Sequence, residues 1–234
     1  MRILIFSDLH ANLEALSALH QVEQPPDALF FLGDAVGYGP DPTACVAWLR
    51  ASATRAVCGD HDHATVTHSD FASPPEYVDL AIATREHTLR QLKPAALAYL
   101  AALPTTALVE MGGARFFLAH GSPRAPLARP IDLMTSSDDT LRAELEGVEA
   151  DVVLLGHTHV PSIRRVDNTH IVNPGSLGQP RHGLPSATYA VWEDGQLQIK
   201  HIDYDPRPTQ FKLNLMSLDP EVAERLSEIL QKGL

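Results

Sequence analysis

Ten ionisable residues in five short motifs carry most of the chemistry open to this chain: Asp8-Leu9-His10, Gly33-Asp34, Gly59-Asp60-His61-Asp62-His63, His120-Gly121 and Gly156-His157-Thr158-His159. Each motif follows an apolar run, such as Ile3 to Phe6 or Ala56-Val57-Cys58, where a hydrophobic core has no use for charge. Buried charge is costly unless it is paired or bound to metal, so these packets are expected to partner one another. Asp8, Asp34 and Asp60 with His10, His120, His157 and His159, and with His61 in reserve, suffice for two divalent cations. A mixed set of oxygen and nitrogen donors suits manganese, iron, zinc, nickel or cobalt better than calcium, which wants oxygen alone. Asp8 and His10 are two positions apart, so on an extended segment both side chains face the same way. His157 and His159 repeat that spacing. A lone histidine is more often a satisfied polar residue than a ligand; seven such donors in ordered motifs reverse that preference.

The elements that must position these motifs read as an alternation of buried strands and helices. Ile3–Phe6, Ala28–Leu32 and Thr54–Cys58 are near-continuous apolar runs, as expected for strands buried on both faces. Helices over Ala11–Val22 and Pro42–Ala51 separate them, the second with Asp41 as N-cap. Residues 64–75 read as an irregular loop, followed by helices over Glu76–Leu92 and Pro94–Leu103. A hairpin over Thr106–Ala119 turns at Gly112-Gly113 and delivers His120. A proline-rich loop over 124–136, a helix over Ser137–Leu145 and a strand over Asp151–Leu155 lead to His157. Short strands over Ser162–Val166 and His170–Val172 and a hairpin over Thr188–Ile202 come next, then a terminal helix from Asp219-Pro220-Glu221. This is the pattern of an α/β sheet, whose sites gather beyond the carboxyl ends of its strands. One domain over residues 1–234 is expected, with 203–234 as a C-terminal extension.

The 234 residues carry a formal charge of −11, which argues against a generic nucleic-acid or anionic-membrane binder. Cys45 and Cys58, the two cysteines, show no Cys-x-x-Cys spacing, so neither a disulfide framework nor a cysteine-based zinc site is indicated. No run is long enough for a membrane span or a signal-peptide core, and a cytoplasmic protein is expected.

In this order and spacing, Asp8-x-His10, Gly33-Asp34, Gly59-x-His61-Asp62, His120-Gly121 and Gly156-His157-x-His159 resemble the calcineurin-like metallophosphoesterases. Together with Asn173-Pro174-Gly175-Ser176 they look like the small bacterial and archaeal branch, over roughly residues 2–200. The resemblance implies a four-layer α-β-β-α sandwich with two mixed β-sheets and the metals at the strand-end loops. It implies that Asp8, His10, Asp34 and His159 hold one ion, that Asp34, Asp60, His120 and His157 hold the other, and that Asp34 bridges. His61 would then protonate the leaving oxygen or stabilise developing charge, with Asp62 as its orienting carboxylate. Two departures stand out. The family usually has asparagine where this chain has Asp60, and many members carry a further acid at the position of Gly37. With Asp60 the three carboxylates give −3 against +4, tightening the second ion at some cost in attraction for phosphate. Asp60→Asn is accordingly expected to raise turnover or lower the apparent substrate constant.

The implied activity is hydrolysis of a small phosphodiester or phosphomonoester by metal-activated water. Two alternatives are a dinucleoside polyphosphate hydrolase and a non-catalytic metal-binding scaffold. Candidate substrate contacts are Asn12, which would otherwise cap a helix; Tyr38, which would otherwise pack; and Arg124 and Arg181, either of which would otherwise pair with surface acids. His63 and His182 adjoin site loops but read as solvated, and Asn173–Ser176 reads as a turn that supports the site.

Overall fold

A computed structural model describes all 234 residues. In chain order the elements are β1 (Arg2–Phe6), α1 (Leu13–Val22), β2 (Ala28–Phe31), α2 (Pro42–Ser52), β3 (Arg55–Ala56), α3 (Asp60–Thr67), α4 (Pro75–Gln91) and α5 (Pro94–Ala101). There follow β4 (Thr106–Met111), β5 (Ala114–Ala119), α6 (Asp138–Leu145), β6 (Val152–Leu154), β7 (Ser162–Val166), β8 (Thr169–Asn173), β9 (Ala187–Glu193), β10 (Gln196–Ile202), α7 (Arg207–Leu215) and α8 (Pro220–Lys232). Two mixed five-stranded sheets result, ordered β10-β9-β1-β2-β3 and β4-β5-β6-β8-β7. In the first, β1, β2 and β3 run parallel; in the second, β5, β6 and β8 do.

The apolar runs are continuous because each strand packs on both faces. Ile3, Ile5, Phe30 and Leu32 point between the sheets and meet Phe116, Leu118, Val152 and Leu154 from the other side. Leu4, Phe6, Leu29 and Phe31 point the opposite way, onto Leu16 and Leu19 of α1 and Val46 and Leu49 of α2. On the far side of the second sheet, Val153, Leu155 and Ile171 cover Leu141 of α6. The layers are therefore helix, sheet, sheet, helix. At about 25 cal/mol per Å² of apolar surface removed from water, this double burial is the main force holding the strand ends in place. Cys45 and Cys58 are buried free thiols.

Two elements depart from the sequence expectation. The stretch after Gly59 is not an open loop; it forms α3, although Asp-His-Asp-His-Ala-Thr-Val-Thr has no apolar stripe. Its start is pinned by Asp62, three residues in, whose carboxylate accepts from the Gly59 N–H at 3.2 Å, the reach-back of a capping box. Residues 207–215 form α7, which pairs with α8. Buried Leu213, Leu226, Ile229 and Leu230 of this pair pack with Leu80 and Ala81 of α4 against Tyr38. No helix is long and apolar enough to cross a membrane.

Candidate metal centre

All five motifs sit just past the carboxyl ends of parallel strands: Asp8 and His10 after β1, Asp34 after β2, Asp60 after β3, His120 after β5, and His157 and His159 after β6. The two sheets bring these ends together from both sides of the central core. None of the seven residues is more than 6% exposed. Their donor atoms, with those of His61, fall into overlapping groups within 4.8 Å: Asp34, Asp60, His120 and His157; Asp8, His10 and His159; and His10, Asp34 and His61. Asp34 lies between the first two groups, its Oδ2 being 3.3 Å from His120 Nε2 and 3.6 Å from His10 Nε2.

Convergence does not come from the extended pairing that the i, i+2 spacing suggests. Asp8, His10, Asp34, His157 and His159 all have φ between 45° and 69°, the left-handed region that costs a side-chain-bearing residue roughly 1–2 kcal/mol. Tight turns, not strands, aim these side chains. The surrounding fold holds the strain through Asp8 N–H to Gly33 O and His10 N–H to Asp34 O, both 3.0 Å. The Asn173–Ser176 turn buttresses the arrangement. Asn173 Nδ2 donates to Gly156 O at 2.7 Å and to Thr158 Oγ1 at 2.9 Å, and Ser176 Oγ donates to Asp8 O at 2.8 Å. Gly59 permits the close approach of α3, since a Cβ there would lie 2.0 Å from Asp34 Oδ1.

The donor set fits cations and little else. His10 Nδ1 donates to Val36 O at 3.0 Å, His159 Nδ1 to Gln179 O at 2.6 Å and His120 Nδ1 to Leu32 O at 2.9 Å. A carbonyl only accepts, so in the neutral rings the proton sits on Nδ1 and the Nε2 lone pair faces inward. His10 Nε2 and His159 Nε2 then point lone pairs at one another across 3.1 Å. His159 Nε2 also lies 3.1 Å from the carboxylate oxygen of Asp8, and His120 Nε2 lies 3.2 Å from that of Asp60. Asp8 Oδ1 and His157 Nε2 are buried without a hydrogen-bond partner. Every ion-pair contact of Asp8, Asp34 and Asp60 is to a histidine, never to lysine or arginine. Burial, reinforced by neighbouring charges, holds His10 well below its ordinary value, and burial with the charge of Arg181 draws His159 down to about 4. Both rings are thus neutral, the form a metal requires. Burial also lowers His120, but Asp34 and Asp8 outweigh it and raise that ring; without a cation, the carboxylates draw in a proton.

His61 stands at the edge of this pocket. Its ring is in contact with His10, Tyr38 and Phe71, with centroids 4.9, 4.5 and 4.8 Å away. Nε2 lies 3.0 Å from Ser73 Oγ, whereas Nδ1 is buried without a partner. A side chain at Gly37 would strike it, a Cβ falling 2.3 Å from Nδ1. Burial pulls His61 down to about 3 against the attraction of Asp60, so it is a neutral ring rather than one titrating near neutrality. Asp62 does not orient it. The Asp62 carboxylate accepts from the Asp34 and Ala35 N–H groups, both at 2.9 Å, and from Gly59; it clamps the Asp34 loop to α3.

The expected substrate contacts divide. Arg181 is brought to the site: its guanidinium lies 3.5 Å over Tyr77 and 5.5 Å from Tyr38, its Nη2 donates to Gln179 Oε1 at 2.5 Å, and its Nε is buried and unpartnered. Arg124 is not; it is half-exposed and paired with Glu146. Asn12 caps α1 through Ala15 N–H and donates to Gly178 O and Tyr204 Oη, both at 2.8 Å, which leaves no amide hydrogen for substrate. Tyr38 is 2% exposed, with its ring packed on His10 and its hydroxyl 3.2 Å from Ser73 Oγ, so it has no free face for a base. Sequence reasoning missed Ser73, Gln179 and Tyr77. The carbonyls of Leu32, Val36 and Gln179 that orient the imidazoles carry no side-chain signal at all.

A family model for the calcineurin-like phosphoesterase superfamily domain matches residues 1–194. The chain belongs to the calcineurin-like phosphoesterase superfamily. It is thus a hydrolase acting on phosphoric esters, and the family implies divalent metal ions for the buried Asp and His groups. The crystal structure of a metallophosphoesterase from Sphaerobacter thermophilus is similar at 30% identity and a TM-score of 0.81, covering 97% of this phosphoesterase and 98% of that chain. That likeness extends past the end of the family match and into the C-terminal helices. A hypothetical protein from Pyrococcus horikoshii OT3 shares the fold, with a TM-score of 0.83 at 22% identity over 100% of this chain and 98% of its own. An uncharacterised protein from Methanocaldococcus jannaschii is 28% identical over 96% of both chains.

Proposed function

We propose that this phosphoesterase hydrolyses a small phosphomonoester or phosphodiester, with Asp8, His10, Asp34 and His159 holding one divalent ion and Asp34, Asp60, His120 and His157 the other. The observation that carries this reading is the cluster of buried imidazoles and carboxylates with no lysine or arginine paired to any of its acids. Manganese, iron, zinc, nickel and cobalt all suit the donors. Bound there, such ions supply Lewis acidity and a water of lowered pKa.

The protein's own groups have separable tasks. Arg181, stacked on Tyr77 with its Nε unspent, binds a phosphoryl oxygen. His61, neutral and firmly packed, presents Nε2 to the leaving oxygen and stabilises its developing charge as a hydrogen-bond donor. Asp62 fixes the backbone on which Asp34 and His61 both sit.

Dinucleoside polyphosphates fit less well. A longer anionic substrate needs a second cation and a surface on which a base can stack, yet Arg124 is spent on Glu146 and Tyr38 is packed away. Metal-loaded protein is expected to cleave p-nitrophenyl phosphate or bis-p-nitrophenyl phosphate with a higher kcat/KM than diadenosine tetraphosphate. The reverse preference would overturn the small-ester reading. Failure on every ester while metal is retained on dialysis would favour the metal-binding scaffold.

A further inference from the structure

The segment His68–Pro74 joins α3 to α4 without regular secondary structure, and the stretch Ser69–Ser73 within it lies across the edge of the metal pocket. Its contacts there are few and specific. Ala72 N–H donates to Asp60 Oδ2 at 3.2 Å, Ser73 Oγ lies 3.0 Å from His61 Nε2 and 3.2 Å from Tyr38 Oη, and the Phe71 ring covers that of His61. From outside, Arg85 of α4 holds the segment down, donating to Ser69 O at 2.6 Å and lying 4.1 Å over Phe71.

Ser73 occupies a particular position. His61 has one usable nitrogen, because Nδ1 is buried against Gly37. Its other nitrogen, Nε2, has Ser73 Oγ as its partner, and His61 as a whole is 2% exposed. An oxygen leaving from phosphorus has to take the place that the serine hydroxyl now holds. We propose that Ser69–Ser73 is a self-blocking strap in which Ser73 stands in for the leaving-group oxygen, and that a phosphoester displaces the strap as it binds. The proposal rests on the reading of His61 as the leaving-group donor.

The exchange is chemically even: His61 Nε2 gives up one hydroxyl oxygen and gains another, while Ala72 N–H passes from Asp60 to water. The hinge points are visible in the chain. His68 ends α3 in a left-handed conformation with φ 58°, and Pro74-Pro75 starts α4. Between them no residue is fully buried, so displacement uncovers little apolar core. A binding site closed for part of the time has its apparent affinity lowered by the closed fraction. The strap therefore raises the substrate concentration needed without altering the chemistry beneath it.

The test is hydrogen exchange of the strap in manganese-loaded protein, with and without saturating inorganic phosphate, alongside calorimetric phosphate binding and kinetics on p-nitrophenyl phosphate. Expected is faster exchange over Ser69–Ser73 when phosphate binds. Ser73→Ala, and Arg85→Ala outside the site, should speed exchange even without phosphate. Both should lower KM about 2- to 10-fold, the equivalent of one neutral hydrogen bond, with kcat retained. Phosphate binding that leaves strap exchange unchanged or slower overturns the proposal, as does a Ser73→Ala variant with reduced kcat and unaltered KM; the phosphoesterase reading then stands alone. If phosphate binds neither wild type nor Ser73→Ala and no ester is cleaved, there is no oxygen seat to guard, and both readings fall.

Discussion

The two ends of the first sheet treat buried carboxylates in opposite ways. Near the start of β1, the Glu23 side chain is 7% exposed and surrounded by donors: Arg2 pairs with it, Lys200 Nζ lies 2.7 Å away, and the Tyr189 hydroxyl donates to it. Past the carboxyl ends of the strands, Asp8, Asp34 and Asp60 meet imidazoles and single backbone N–H groups, with no lysine or arginine beside them. A carboxylate that serves the fold is neutralised by the chain's own cations. On the function proposed above, one that serves chemistry is left for a cation the chain does not contain, at a cost the double-sided core must cover.

Removing the shared ligand should break this contrast most completely. Asp34→Asn is expected to abolish activity and retention of both ions, read by metal analysis after dialysis. In chelator-stripped protein the same change should raise Tm, since it removes one of three crowded acids. His61→Asn should lower kcat by about 10²–10³-fold, the usual worth of a positioned hydrogen-bond donor to developing charge, with metal content unchanged. Arg181→Ala should raise KM by about 10–100-fold, matching a charged hydrogen bond of roughly 1.5–3 kcal/mol, whereas Arg124→Ala should match wild type. The smallest effect belongs to the structural end. Burial favours the protonated form of Glu23, but Lys200, Tyr189 and Arg2 outweigh it and hold the carboxyl below its ordinary value of 4.5. Its stabilisation is thus present above that value and lost as pH falls through the lower folded value. Glu23→Gln should reduce Tm at neutral pH and flatten the acid limb of a Tm-against-pH series.

How far the sequence could be read follows the same division. Strands and donors were legible together, because β1, β2, β5 and β6 are apolar on both faces and each ends in a residue that no core would accept. Helix α3 was not, since Asp62 rather than an apolar stripe fixes it, and α7 escaped because its pattern becomes amphipathic only against α4 and α8. The left-handed turns at Asp8, His10, Asp34, His157 and His159 were equally hidden: spacing suggests extended pairs, and only the packed loops impose the strained alternative.

The motif at Gly59–Asp62 shows where the boundary lies. By itself the sequence supported the family and the expectation that Asp60 and His61 belong to a metal-dependent phosphoester site, because residue type and order reflect the chemistry that family implies. Only the tertiary structure decided that Asp62 clamps backbone, that Arg181 and not Arg124 reaches the pocket, and that Ser73 sits against His61. Those outcomes depend on which side chain meets which partner across more than one element. Such meetings are set by packing and by competition among hydrogen-bond partners, neither of which leaves a local trace in the chain.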